Sequence, residues 1–137
     1  MRRAGSIVLI AGALALAGCG SRATHTAAEH PDATPTTLTA DNAHAYLADH
    51  PEALVLDVRE AAEWNDDVGH IAGARQIPLG DLERRMSEIE DWKGKPIIVV
   101  CRTGARSQGA ADQLRAAGFK LVLNLEGGLS AWRARGY

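Results

Sequence analysis

A cysteine stands at the end of an unbroken apolar run, Ile97-Ile98-Val99-Val100-Cys101, which reads as a buried β-strand. Arg102, Thr103, Gly104, Ala105 and Arg106 follow it, and then Ser107. From Ser107 to Arg115 the residues have helical character, with Ser107 the expected N-cap. A thiol between a strand end and a helix start faces backbone N–H groups and the positive end of a helix dipole. Arg102 and Arg106 add fixed positive charge. Each influence favours the thiolate, which is the attacking form of cysteine. A cysteine at a strand end often does no more than fill space. Two arginines, a glycine and a helix start within six residues of it point instead to a nucleophile in an anion-binding loop.

The surrounding chain supplies the elements needed to hold such a loop. Thr39 to Asp49 predicts a capped helix with Ala43, Tyr46 and Leu47 on one face. Leu54 to Val58 predicts a short strand, Ala61 to Asp66 a short helix, and Arg75 to Ile77 a brief strand ended by Pro78. Asp81 to Trp92 predicts an amphipathic helix with Leu82, Met86 and Ile89 inward. The helix after Cys101 is expected to stop at Gly118. Leu121 to Leu125 predicts the last strand, and Leu129 to Arg133 a short helix after Gly127-Gly128. Strands alternating with helices imply an α/β domain with a parallel sheet and helices on both faces. Ligands in such sheets bind at the carboxyl ends of strands, where Cys101 lies.

The first eighteen residues have the pattern of an export signal. Arg2 and Arg3 precede the apolar run Ile7 to Ala17, which is short for a membrane span. Leu16-Ala17-Gly18-Cys19 resembles the lipobox of bacterial lipoproteins, a resemblance that implies cleavage before Cys19 and a lipid on its sulfur. Residues 19–37 carry Pro31 and Pro35 without hydrophobic periodicity and read as a tether, leaving 38–137 as one domain. The expected location is therefore the outer face of a bacterial membrane. Without Arg2 and Arg3, basic side chains fall four short of the 17 acidic ones, and no concentrated basic face suggests nucleic acid. The chain has two cysteines, so lipid on Cys19 leaves Cys101 as the one free thiol in an oxidising compartment. No metal-ligand spacing occurs.

Four segments in order resemble the single-domain rhodaneses. They are Asp57-Val58-Arg59-Glu60, Gly69-His70-Ile71-Ala72-Gly73-Ala74, the loop Cys101 to Ser107, and Glu126-Gly127-Gly128-Leu129-Ser130-Ala131-Trp132. The resemblance implies a central five-stranded parallel sheet and a sulfurtransferase that needs no cofactor. In it Cys101 takes a sulfane sulfur from a small anionic donor such as thiosulfate, or from a persulfide. The sulfur then passes to cyanide, a thiol or a protein acceptor. Residues 102–107 would cradle the persulfide and Arg102 and Arg106 would bind the donor. Asp57 and Arg59 are expected to form a stabilising pair that shapes the pocket. His70 is expected to tie backbone together rather than act as a base. Ala72 stands where the family commonly has proline. The span Asn65 to Val68 is slightly longer than in many members, which reshapes one wall of the site. A sulfur carrier or interaction module built on the same residues is the second reading. A phosphatase or arsenate reductase is a third, but Cys101 to Arg106 is Cys-x4-Arg, one residue short of the phosphatase loop, which cramps a tetrahedral phosphoryl group.

Overall fold

Strand β4, Pro96–Val100, is buried at every position because parallel neighbours cover both its edges and helices cover both its faces. A computed structural model describes residues 35–137; the expected signal peptide and Cys19 lie outside them. The other strands are β1 (Thr37–Leu38), β2 (Leu54–Asp57), β3 (Arg75–Gln76) and β5 (Leu121–Leu125), in the order β1-β5-β4-β2-β3 with all pairs parallel. Helices α1 (Ala40–Asp49), α2 (Leu82–Arg85), α3 (Ala105–Ala116) and α4 (Gly128–Ala134) complete the fold.

The alternation of strand side chains divides the core in two. Leu54, Leu56, Ile97 and Val99 meet Leu82 of α2 and Ala110, Ala111 and Leu114 of α3. Val55, Ile98, Val100, Leu123 and Leu125 meet Ala43 of α1 and Leu129 and Trp132 of α4. Cys101 continues the Ile97–Val99 face and so falls on the side of α3. Burial of each such aliphatic side chain contributes roughly 1.5–3 kcal/mol. The chain leaves β2 toward β3 on one side and leaves β4 toward β5 on the other. The loops after β2 and β4 therefore diverge over one crevice, the usual ligand position in an open parallel sheet.

Several local expectations are corrected. Asp81 to Trp92 is no single helix: 3-10 turns at Leu79–Asp81 and Met86–Trp92 flank α2, and Ile89 has non-helical φ/ψ. The ion pairs Asp81–Arg84, Arg85–Glu88 and Glu90–Lys93 are all three residues apart, a spacing that a 3-10 turn brings into register. The helix expected over Ala61 to Asp66 is a 3-10 turn at Ala61–Glu63. Strand β1 was not expected; Thr37 and Leu38 pair with Asn124 and Leu125 on β5. Finally, α3 starts at Ala105 with Gly104 as its N-cap, so Ser107 lies in the first turn and does not cap it. Helix α3 does end near Gly118, where N–H groups of Gly118 and Phe119 reach back to carbonyls of Arg115 and Leu114.

Candidate active site

The chain turns sharply after β4 because Gly104 takes φ +98°, a left-handed conformation that other residues rarely adopt. A Cβ there would also lie 3.2 Å from the Leu125 carbonyl and the Gly127 nitrogen. The turn brings the Gly104 N–H to 3.1 Å from Cys101 Sγ and the Ser107 N–H to 3.4 Å. The Ser107 hydroxyl is 3.4 Å from the sulfur. Burial pushes the Cys101 thiol up. Hydrogen bonds from the Ser107 hydroxyl and from the N–H groups of Ser107, Gly104 and Thr103 outweigh burial and hold it below the ordinary cysteine value. Cys101 is only 1% exposed.

The other side of the loop is tied to α4. The N–H groups of Leu129 and Ser130 donate to the carbonyls of Cys101 and Arg102, at 2.8 and 3.0 Å. Gly128 permits this approach: a Cβ on it would lie 2.6 Å from the Arg102 carbonyl oxygen, and its φ is +59°.

Ser107 has a partner that sequence reasoning missed. Its Oγ lies 2.6 Å from Asn124 Oδ1 and 3.1 Å from the Gly104 carbonyl. Asn124 is 6% exposed in the middle of β5. The available signal was a lone amide in Leu121-Val122-Leu123-Asn124-Leu125, since a buried polar group demands a hydrogen-bond partner.

Arg102 and Arg106, expected to bind the donor, are both paired with carboxylates of the loop after β2. Arg102 Nη1 donates to Asp66 Oδ2 at 2.7 Å, and Nη2 donates to both oxygens of Asp67 at 2.9 and 3.0 Å. Arg106 makes a fork with Glu63, at 2.7 Å to each oxygen. The Arg106 guanidinium, with the Glu60 N–H, pulls the Glu63 carboxyl down to about 2. The hydrogen bonds from Arg102 likewise lower Asp67. The Cys101 thiol is held down chiefly by the Ser107 hydroxyl and the backbone N–H groups of the loop, and Arg106 interacts with it electrostatically.

Beneath this rim Asp57 and Arg59 form a fully buried ion pair, with Nη2 2.7 Å from Oδ2. Arg59 also donates to the Glu63 carbonyl at 2.9 Å, to Asp66 Oδ1 at 3.1 Å and to the Gly69 carbonyl at 2.8 Å. One guanidinium thereby fixes the loop that presents Glu63, Asp66 and Asp67. His70 stacks on Trp64 with ring centroids 4.0 Å apart, and its Nδ1 lies 3.1 Å from the Trp64 carbonyl. Its described contacts join the two ends of a turn. Thr103 and Ala105 are exposed at the loop surface.

A five-stranded parallel α/β domain whose central strand delivers a hydrogen-bonded thiol to a helix start defines a class of cysteine-loop proteins. Residues 39–135 match the model of the rhodanese-like domain. The chain belongs to that family. A sulfurtransferase of Allochromatium vinosum is 41% identical over 90 residues, spanning 66% of this chain and 80% of that protein. The thiosulfate sulfurtransferase GlpE of Pseudoalteromonas translucida is 35% identical over 88 residues, spanning 64% of this chain and 80% of that one. The solution structure of the rhodanese-like domain of Anabaena Alr3790 superposes with a TM-score of 0.65 at 35% identity, covering 75% of this chain and 76% of that domain. Among similar curated relatives the match spans between 24% and 80% of the relative's own length.

Proposed function

We propose that the protein is a sulfurtransferase that carries sulfane sulfur on Cys101. The observation that carries the reading is the cluster of donors on one buried sulfur: the Gly104 and Ser107 N–H groups and the Ser107 hydroxyl. Relatives named as sulfurtransferases, at 41% and 35% identity, support it. The Cys101 thiolate attacks the outer sulfur of thiosulfate or of a persulfide. A new S–S bond forms to Cys101, the donor's S–S bond breaks, and its electron pair leaves on sulfite or on a thiolate. The terminal sulfur now bears the negative charge, which the N–H groups around the loop oppose. A thiolate or cyanide acceptor then attacks that terminal sulfur and restores the Cys101 thiolate. Sulfite needs no proton to leave, and the reaction calls for no general acid.

Replacement of Cys101 by Ser tests the reading. The wild-type chain treated with thiosulfate or a persulfide should gain the mass of one sulfur atom and lose it to cyanide. Cys101→Ser should do neither while remaining folded; unchanged transfer by the variant would overturn the assignment. We further propose, on the lipobox-like Leu16 to Cys19 alone, that a lipid on Cys19 holds the domain at an extracytoplasmic membrane face. Cys19→Ala should release it from the membrane fraction, and globomycin should cause the precursor to accumulate.

A further inference from the structure

Cys101 is 1% exposed, so whatever a donor carries beyond its reacting sulfur lies against the rim of the loop rather than against the thiol. That rim is already charged and occupied. Glu60, Glu63, Asp66 and Asp67 supply four carboxylates, against the two guanidiniums of Arg102 and Arg106. The buried Asp57–Arg59 pair below cancels itself. Arg133 adds a third guanidinium, donating to the Val68 carbonyl at 2.7 Å, and the balance is still negative by one charge before the Cys101 thiolate is added. Asp66 cannot swing aside, because it also accepts from Arg59 at 3.1 Å and from the Val68 N–H at 3.1 Å. Exposed ion pairs are individually weak, so Arg102 is able to turn to an incoming anion. Doing so uncovers the Asp67 carboxylate and one oxygen of Asp66 beside that same anion.

Building on the Cys101 reading, we propose that the segment from Glu63 to Asp67 is a charge filter, and that the donor it favours is an organic persulfide with a neutral or cationic tail. The dianion thiosulfate is disfavoured. The favoured step is balanced without any co-reactant: the Cys101 thiolate attacks the outer sulfur of R–S–SH, Cys–S–SH forms, and R–S⁻ leaves with the pair from the broken S–S bond. Asp66 and Asp67 lie in the stretch Asn65 to Val68, so the donor preference is written into the wall that this stretch reshapes.

Two persulfides of matched length test the filter, one with a 2-aminoethyl tail and one with a 2-carboxyethyl tail. Their rates of loading Cys101 are each normalised to reaction with 2-mercaptoethanol. The ammonium-tailed donor should load about tenfold faster, a preference of the size expected for partly screened charges a few ångströms apart. Raising salt should narrow the gap from both sides. Asp67→Asn should narrow it about threefold; this side chain is 74% exposed, so the variant will fold. Glu83→Gln makes the same charge change beside the far end of α3 and should leave the ratio alone. Alkylation of Cys101 by iodoacetate relative to iodoacetamide reads the same field without sulfur transfer, and should rise in Asp67→Asn. If neither persulfide loads Cys101, the sulfurtransferase reading falls and the proposal with it. If both load and the carboxylate-tailed one is as fast or faster, the filter alone falls. An alkylation ratio equal in wild type and Asp67→Asn overturns the filter whatever sulfur transfer does.

Discussion

Arg59 and Arg102 share a carboxylate, Asp66, yet they belong to two different kinds of structure. Arg59 is sealed from water and every donor on its guanidinium is spent on Asp57, Asp66 or a backbone carbonyl. Arg102 reaches the same carboxylate from outside, with 40% of its side chain exposed. A buried guanidinium stripped of water has no alternative to its partners, so it behaves as a strut. A half-exposed one exchanges partners with water, salt or a ligand at small cost, so it tunes the mouth of the site. Burial, more than partner identity, decides which role an arginine plays here.

The largest expected effect comes from breaking the strut. Arg59→Met should destabilise the domain by about 3–5 kcal/mol, since it leaves Asp57 charged and unpaired in the interior. Urea unfolding measures this, and a loss near zero would mean that Arg59 is no strut. Next in size is the cradle. Ser107→Ala removes a hydrogen bond to an ionised sulfur, so the pH midpoint of Cys101 alkylation should rise and alkylation at neutral pH should slow by about tenfold. An unchanged profile would return thiolate stabilisation to the arginines.

The rim gives smaller effects. Glu63 has its carboxyl lowered to about 2 from an ordinary 4.5, chiefly by Arg106. A lowered folded-state pKa stabilises above the unfolded value and loses that contribution as pH falls. The Glu63 contribution is therefore whole above about pH 4.5 and drains away toward pH 2. Glu63→Gln should flatten the acid limb of the stability profile in that window, as followed by urea midpoints. The smallest effect is expected from Asp67→Ala, which should leave the urea midpoint in place because its ion pair is open to water. A large drop would erase the distinction between strut and rim.

Most of the fold was legible because β4 is a continuous apolar run and β2 and β5 are apolar but for Asp57 and Asn124, and because Thr39 and Gly118 mark helix ends where their chemistry requires them. The loop from Cys101 was legible for the same reason: a strand, a glycine and a helix start are local signals. Two-residue β1 carries too little pattern to be seen and exists only because β5 offers it an edge. The break at Ile89 was hidden since Leu82, Met86 and Ile89 suit an α-helix as well as a chain of 3-10 turns. Ser107 looked like a cap because caps favour serine; Gly104 took that place by its backbone angle, and the hydroxyl lies instead among Asn124, the Gly104 carbonyl and the sulfur. The partners of Arg102 and Arg106 lie 35 to 43 residues upstream, and no local rule connects them.

The contact of Leu129 and Ser130 with the carbonyls of Cys101 and Arg102 has a bearing on timing. The thiol leaves the ribosome well before the helix that braces its loop. Until that helix docks, the carbonyls of Cys101 and Arg102 lack their partners, and the Gly104 turn that sets N–H groups on the sulfur is without its brace. The donors on the sulfur are therefore complete only once the C-terminal helix is in place, so the environment that lowers the thiol belongs to the finished domain.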